Sequence, residues 1–198
     1  MKTQSEIVAL VTIAVLTITL VSTAYFWGMP LIEKRQGSIK VERMKDMFDI
    51  YNFNSLSSKI ENAIKGASEQ LFSSPVDGVW KVNKSENYLT FESISKSSNI
   101  AIGYGWLSIY DSCNNNTGKC ERNPGIFGLD KPFCICARAD REGMVFKISY
   151  RISFRNLTSD SETFQYKIES PIQSTDLKNI RIVFSKIDKN NIITLYFT

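Results

Sequence analysis

The chain has 198 residues, with 24 Lys plus Arg against 20 Asp plus Glu and a net charge of +4. That length allows one domain with an appendage, and the interspersed charges give no clustered basic face for nucleic acid. There is no histidine. The commonest general base, the commonest metal ligand and every Ser-His or Cys-His nucleophile pairing are therefore absent.

The first element is a run from Ile7 to Trp27, 21 residues without one charge. As a helix it reaches about 32 Å, the thickness of a bilayer core. A secretory leader has a shorter apolar region and a small-residue cleavage site. This run ends instead on Tyr25-Phe26-Trp27, aromatic residues suited to a membrane interface, so it is read as an uncleaved span. Ser5, Thr12, Thr19 and Thr23 share one arc of the helix. Two readings of that stripe stay open: a face for close helix approach involving Thr12, Val15, Leu16, Thr19 and Thr23, or hydroxyls bonded back to their own helix.

Orientation is pulled two ways. Lys34, Arg35, Lys40, Arg43 and Lys45 follow the span against Lys2 before it, which favours a cytoplasmic C-terminal bulk. Cys113, Cys120, Cys134 and Cys136 and the sequons at Asn83, Asn115 and Asn156 favour an exterior one. The cysteines decide for the exterior, because no cytosolic use of them fits.

Beyond the Gly28/Pro30 bend, Val41, Met44, Met47, Phe48 and Tyr51 keep helical spacing, so the first helix is expected to continue. A second helix is expected from an N-cap at Ser55 to about Phe72, with Leu56, Ile60, Ala63, Ile64, Ala67 and Leu71 as its stripe. From Val79 the pattern turns to strands. Val79–Val82 and Tyr88–Phe91 read as a hairpin around the polar turn 83–87. Ile100–Tyr110, Val145–Phe154, Phe164–Ile168, Ile180–Phe184 and Ile192–Phe197 follow. The expected fold class is α+β: a long N-terminal hydrophobic helix, then a mainly antiparallel, sandwich-like β head.

The cysteines predict two disulfides, Cys113 to Cys134 or Cys136 with Cys120 taking the other. A four-thiolate zinc site fits the spacing poorly. Asp130, Asp140 and Glu142 are candidate calcium ligands or, more simply, solvated turn residues. No phosphate loop, dinucleotide fingerprint or nucleophile elbow occurs. The expectation is no enzyme, no cofactor and no metal.

Lys2-Thr3-Gln4-Ser5-Glu6 followed by Leu10 is similar to the class III leader of archaeal type IV pilin-like proteins. Trp27-Gly28-Met29-Pro30-Leu31-Ile32 and Gly78-x-Trp80-x-Val82 resemble the same group. Thr3 stands where the family has Gly, and the Gln-to-Glu spacing is shorter. The resemblance implies that a prepilin peptidase reads Lys2, Thr3, Gln4 and Glu6 and removes residues 1–3. It implies a filament-core or anchor helix over 4–53 and a head over 54–198. The implied partners are further copies of the chain, the peptidase with its membrane assembly machinery, and the cytoplasmic membrane before assembly. The implied destination is an extracellular pilus or the cell surface.

Overall fold

The computed structural model describes residues 2–66, 68–103, 105–109, 120, 123–160, 162–187 and 189–198, with the side chains of the first helix from Glu6 onward. The expected α+β architecture is what forms. Helix α1 runs Lys2–Phe48 without a break, and Pro30 lies inside it. A proline removes one backbone donor and can bend a helix without ending it.

Helix α2 covers Leu56–Gly66, and the Ser55 hydroxyl accepts the Ser58 N–H at 3.1 Å as its cap. It stops sooner than its pattern suggests. Gln70–Ser73 is a strand, β1, whose Phe72 is buried while Leu71 is exposed. Leu71 therefore belongs to no helical stripe. A period-2 segment beside a period-3.6 stripe reads as one helix when only the apolar positions are marked.

The remaining strands are β2 (Val79–Asn83), β3 (Tyr88–Ser95), β4 (Leu107–Ser108), β5 (Gly125–Ile126), β6 (Phe133–Glu142), β7 (Val145–Phe154), β8 (Leu157–Ser159), β9 (Glu162–Glu169), β10 (Ser174–Thr175), β11 (Asn179–Ile187) and β12 (Asn190–Phe197). They form two six-stranded sheets, ordered β1-β11-β12-β9-β8-β5 and β10-β2-β3-β7-β6-β4. Pairing is antiparallel except for β12 with β9 and β5 with β8. The expected β2–β3 hairpin forms, with Val79 opposite Glu92 and Asn83 opposite Tyr88, so Asn83 belongs to the strand rather than to the turn. Of the expected strand over 100–110, only Leu107–Ser108 pairs as a named strand; residues 104 and 110 lie outside the described residues.

The core lies between the sheets and takes in the end of α1. Val41, Met44, Met47 and Phe48 are fully buried, and the Phe48 ring stacks on Tyr150 at 4.9 Å and meets Trp80 and Phe91. The head's core thus begins before residue 54, inside the helix assigned to the anchor. Tyr51, beyond the helix end, is exposed.

Candidate functional site

The most distinctive surface of the chain is the N-terminal part of α1. Thirteen large apolar side chains between Ile7 and Trp27 are each more than half exposed, Trp27 at 78%. Burying them contributes on the order of 20–40 kcal/mol at ~1.5–3 kcal/mol each. That exceeds the ~5–15 kcal/mol net stability of an ordinary domain, so water is not this segment's medium. Among the described residues this is the one helix long and apolar enough to cross a membrane. Its threonine hydroxyls are satisfied within the helix. The hydroxyls of Thr12, Thr17, Thr19 and Thr23 donate to the carbonyls of Val8, Ile13, Val15 and Thr19 at 2.7–2.8 Å. Back-bonding therefore occurs, and it leaves the stripe of Thr12, Val15, Leu16, Thr19 and Thr23 compatible with lipid or with another helix. Lys2, Thr3 and Gln4 lie in the same helix by backbone; their side chains are outside the described residues.

The helix is rooted in the head by a ladder of contacts that climbs β3. Glu33 pairs with Lys96 at 2.6 Å. Ser95 Oγ donates to the Gly37 carbonyl at 3.1 Å, and Lys40 Nζ donates to the Ile94 carbonyl at 2.8 Å. Phe48 then meets Phe91. The helix axis thus follows the strand, and the end of β3 and the start of β7 point toward the apolar segment. Gly37 makes the approach possible: a Cβ there would lie 2.8 Å from Ser97 Oγ and 3.1 Å from Ser97 N. Its sequence signal is faint, a lone Gly in a helical pattern.

The outer face of the second sheet carries the cysteines. Cys120 and Cys136 form a disulfide, one of the pairings left open by the sequence. Cys113 lies outside the described residues, so the second expected bridge has no structural account; Cys134 is buried beside the first. Register explains why this face is covered. Cys134 and Cys136 stand opposite Ser153 and Arg151, and Cys120 Sγ lies 3.8 Å from Ser153 Oγ. Trp106, from the preceding segment, lies over Arg151, whose guanidinium is 3.9 Å from the Tyr88 ring centroid and 4.0 Å from that of Trp106. Tertiary structure makes Arg151 the filling of an aromatic sandwich. On the same face Glu92 receives Lys81 at 2.7 Å and Lys147 at 3.1 Å. Burial pushes the Glu92 carboxyl up, but the two lysines outweigh it and hold its pKa below the ordinary value.

At the far end of the head, a groove of about 460 Å3 lies between α2 and the β5–β6 loop. Phe127 and Phe164 stack at 4.4 Å in its wall. Glu61 on its rim is engaged by Lys131 and by Lys65; burial pushes the carboxyl up, and these lysines bring it below the ordinary value. Arg155, almost wholly buried, donates from Nε to the Lys131 carbonyl at 2.9 Å and holds Asp130 at 3.5 Å.

Asp130 also accepts the Ile126 N–H, whereas Asp140 pairs with Arg138 on β6, so two of the three suggested calcium ligands are engaged separately. Among the described residues no three His, Cys, Asp or Glu side chains gather as a metal site. Of the sequons, Asn156 is exposed between β7 and β8. Asn83 is half-buried, with Oδ1 accepting the Glu86 N–H and Ser85 hydroxyl in the β2–β3 turn. Asn115 lies outside the described residues. Comparison with protein-family models, with curated proteins and with solved structures finds no match for this chain.

Proposed function

We propose that this chain is a structural subunit of an extracellular, archaeal type IV pilus-like filament, polymerising through α1 for adhesion or surface interaction. The observation that carries the reading is one continuous helix, uncharged on every side over Ile7–Trp27 and built into the head core at Met44, Met47 and Phe48. Such a helix is stable in two settings, a bilayer or a bundle of its own kind. A rigid joint to the head lets both parts contact neighbours head-to-tail, and heterologous contacts that do not close produce an open helical polymer. In this proposal the prepilin peptidase removes residues 1–3 on the cytoplasmic side, and α1 resides in the cytoplasmic membrane until assembly machinery extracts it. The Cys120–Cys136 bridge supports an exterior head.

A second reading, a single-pass anchored surface protein or minor pilin with a binding head, is favoured by Tyr25, Phe26 and Trp27, exposed together at one end of the span. Electron microscopy of sheared surface material, with mass spectrometry of its main band, separates the two. Filaments made of this chain, beginning at Gln4, support the first; the chain confined to the membrane fraction supports the second.

A further inference from the structure

We propose that the underside of the head, centred on the β6–β7 turn, seats on the surface of the bilayer that α1 crosses. Met144 enters the headgroup layer, and Lys34, Arg35 and Arg141 face lipid phosphates. The inference rests on the reading that α1 spans a bilayer before assembly.

The spacing along α1 leads to it. The aromatic cluster of the span ends at Trp27, and the first charge after it, Glu33, is also where the head is reached, six residues and about 9 Å further along the helix. The head has no stalk to lift it clear of the interface. Because α1 follows β3, the turn between β6 and β7 hangs toward the span. Pro30 and Lys34 of the helix line one shallow cleft together with Met144, Val145 and Phe146. Pro30 is three residues from Trp27, so this turn lies about 5 Å above the aromatic ring level.

The chemistry of that surface suits a headgroup layer. Met144 is 94% exposed, the most exposed large apolar side chain described, at the tip of a tight turn whose Gly143 has φ of 64°. A solvated sheet edge gains nothing from an apolar tip, whereas a flexible thioether inserts readily among lipid chains. Lys34 shares the cleft with Met144, Arg35 follows it on the helix and Arg141 precedes the turn, all three exposed; the Glu33 charge is matched by Lys96, leaving Glu142 as the opposing acid. The surplus is positive, as anionic headgroups require.

The test uses the full chain at one copy per nanodisc, in phosphatidylcholine with phosphatidylglycerol or in phosphatidylcholine alone. Methionine oxidation by dilute hydrogen peroxide is followed by mass spectrometry, with buried Met44 and Met47 as slow references. Co-elution of the chain with the discs checks the span separately. In discs containing phosphatidylglycerol, Met144 is expected to oxidise several-fold more slowly than in the K34Q/R35Q/R141Q variant, and high salt is expected to remove the difference. The three substitutions fall on exposed positions, and circular dichroism checks that the head stays folded. Equal, fast oxidation of Met144 in chain that has entered the discs overturns the docking and leaves the span standing. Protection that persists in the triple variant and at high salt overturns the phosphate contacts. Protection seen only in discs holding two copies assigns the surface to a second chain and overturns the proposal. Failure to enter any disc overturns the spanning reading itself.

Discussion

The side chain of Asn87 pairs with the backbone on both sides of Lys167 as though it were a strand residue. The Ile168 N–H donates to Asn87 Oδ1 at 2.8 Å, and Asn87 Nδ2 donates to the Tyr166 carbonyl at 2.6 Å. Nδ2 also reaches the Phe154 carbonyl at 3.3 Å, and Phe154 N donates to the Asn87 carbonyl at 3.0 Å. One turn residue of the second sheet thus ties β9 of the first sheet to the end of β7. Its φ of 58° is the left-handed conformation that asparagine tolerates better than most residues. Asn87→Ala is expected to destabilise the head by about 2–4 kcal/mol, combining orphaned backbone groups with left-handed strain. Asn87→Gly relieves the strain alone and should recover only part. Thermal unfolding of the three proteins checks the order Asn, Gly, Ala.

The Gly37 joint sets two effects against each other. Replacing a mid-helix Gly by Ala gains about 1 kcal/mol of helix propensity. The new Cβ presses on Ser97 Oγ, a side-chain atom that can give, and on Ser97 N, which cannot. Gly37→Ala is therefore expected to be near neutral. Gly37→Val adds two methyl groups against backbone and should cost about 1–3 kcal/mol. A loss of Lys96–Glu33 and Lys40–Ile94 contacts, read as faster amide exchange at the end of β3, would accompany it.

Polymerisation predicts a different response from anchoring. Val15→Lys places a charge at mid-span, which costs ~2.5–3.5 kcal/mol on insertion scales in lipid, where a long side chain can reach the interface. A dry helix bundle offers no such escape, and the penalty of several kcal/mol recurs in every subunit. The expected result is no filaments with head antigen still at the membrane, read by microscopy and fractionation. A chain starting at Ser38 keeps Val41, Met44, Met47 and Phe48 and should be a soluble monomer by size-exclusion chromatography.

Opening the Cys120–Cys136 bridge releases a loop closed over a separation of 16 residues. Cys136→Ser is expected to cost about 2–4 kcal/mol, largely by freeing the unfolded chain. The loss should appear as a lower head melting temperature, with assembly through α1 retained. It should also loosen Trp106 from Arg151, visible as a change in tryptophan fluorescence.

Acid should weaken the head through Glu61 and Glu92. Both carboxyls are held below their ordinary value by lysines, against the upward push of burial. A lowered folded-state pKa contributes stability that is present above the unfolded value of about 4.3 and is lost as pH falls through the folded one. Each pair is partly exposed, so the loss is modest, about 0.2–1 kcal/mol apiece. Denaturation midpoints measured on either side of pH 4 should fall with acid, and Glu61→Gln with Glu92→Gln should flatten that dependence.

The local rules of the chain were legible from its residues alone. The stretch Ile7–Trp27, without one charge, is long and apolar enough for a membrane-crossing helix, and Val41, Met44, Met47 and Phe48 at helical spacing carry that helix into a core. The alternation of Val145–Phe154 and the β2–β3 hairpin followed from period and turn chemistry in the same way. The second helix was overextended into β1 because Phe72 and Leu71 are apolar in either pattern, and only pairing with β11 tells them apart. What tertiary structure decided was every relationship between residues distant in sequence. Cys120 with Cys136, Trp106 over Arg151, Gly37 under Ser97 and Asn87 on Ile168 all depend on which strands lie side by side. Such pairings are fixed by the joint closure of two sheets, and no single segment contains the information that selects them.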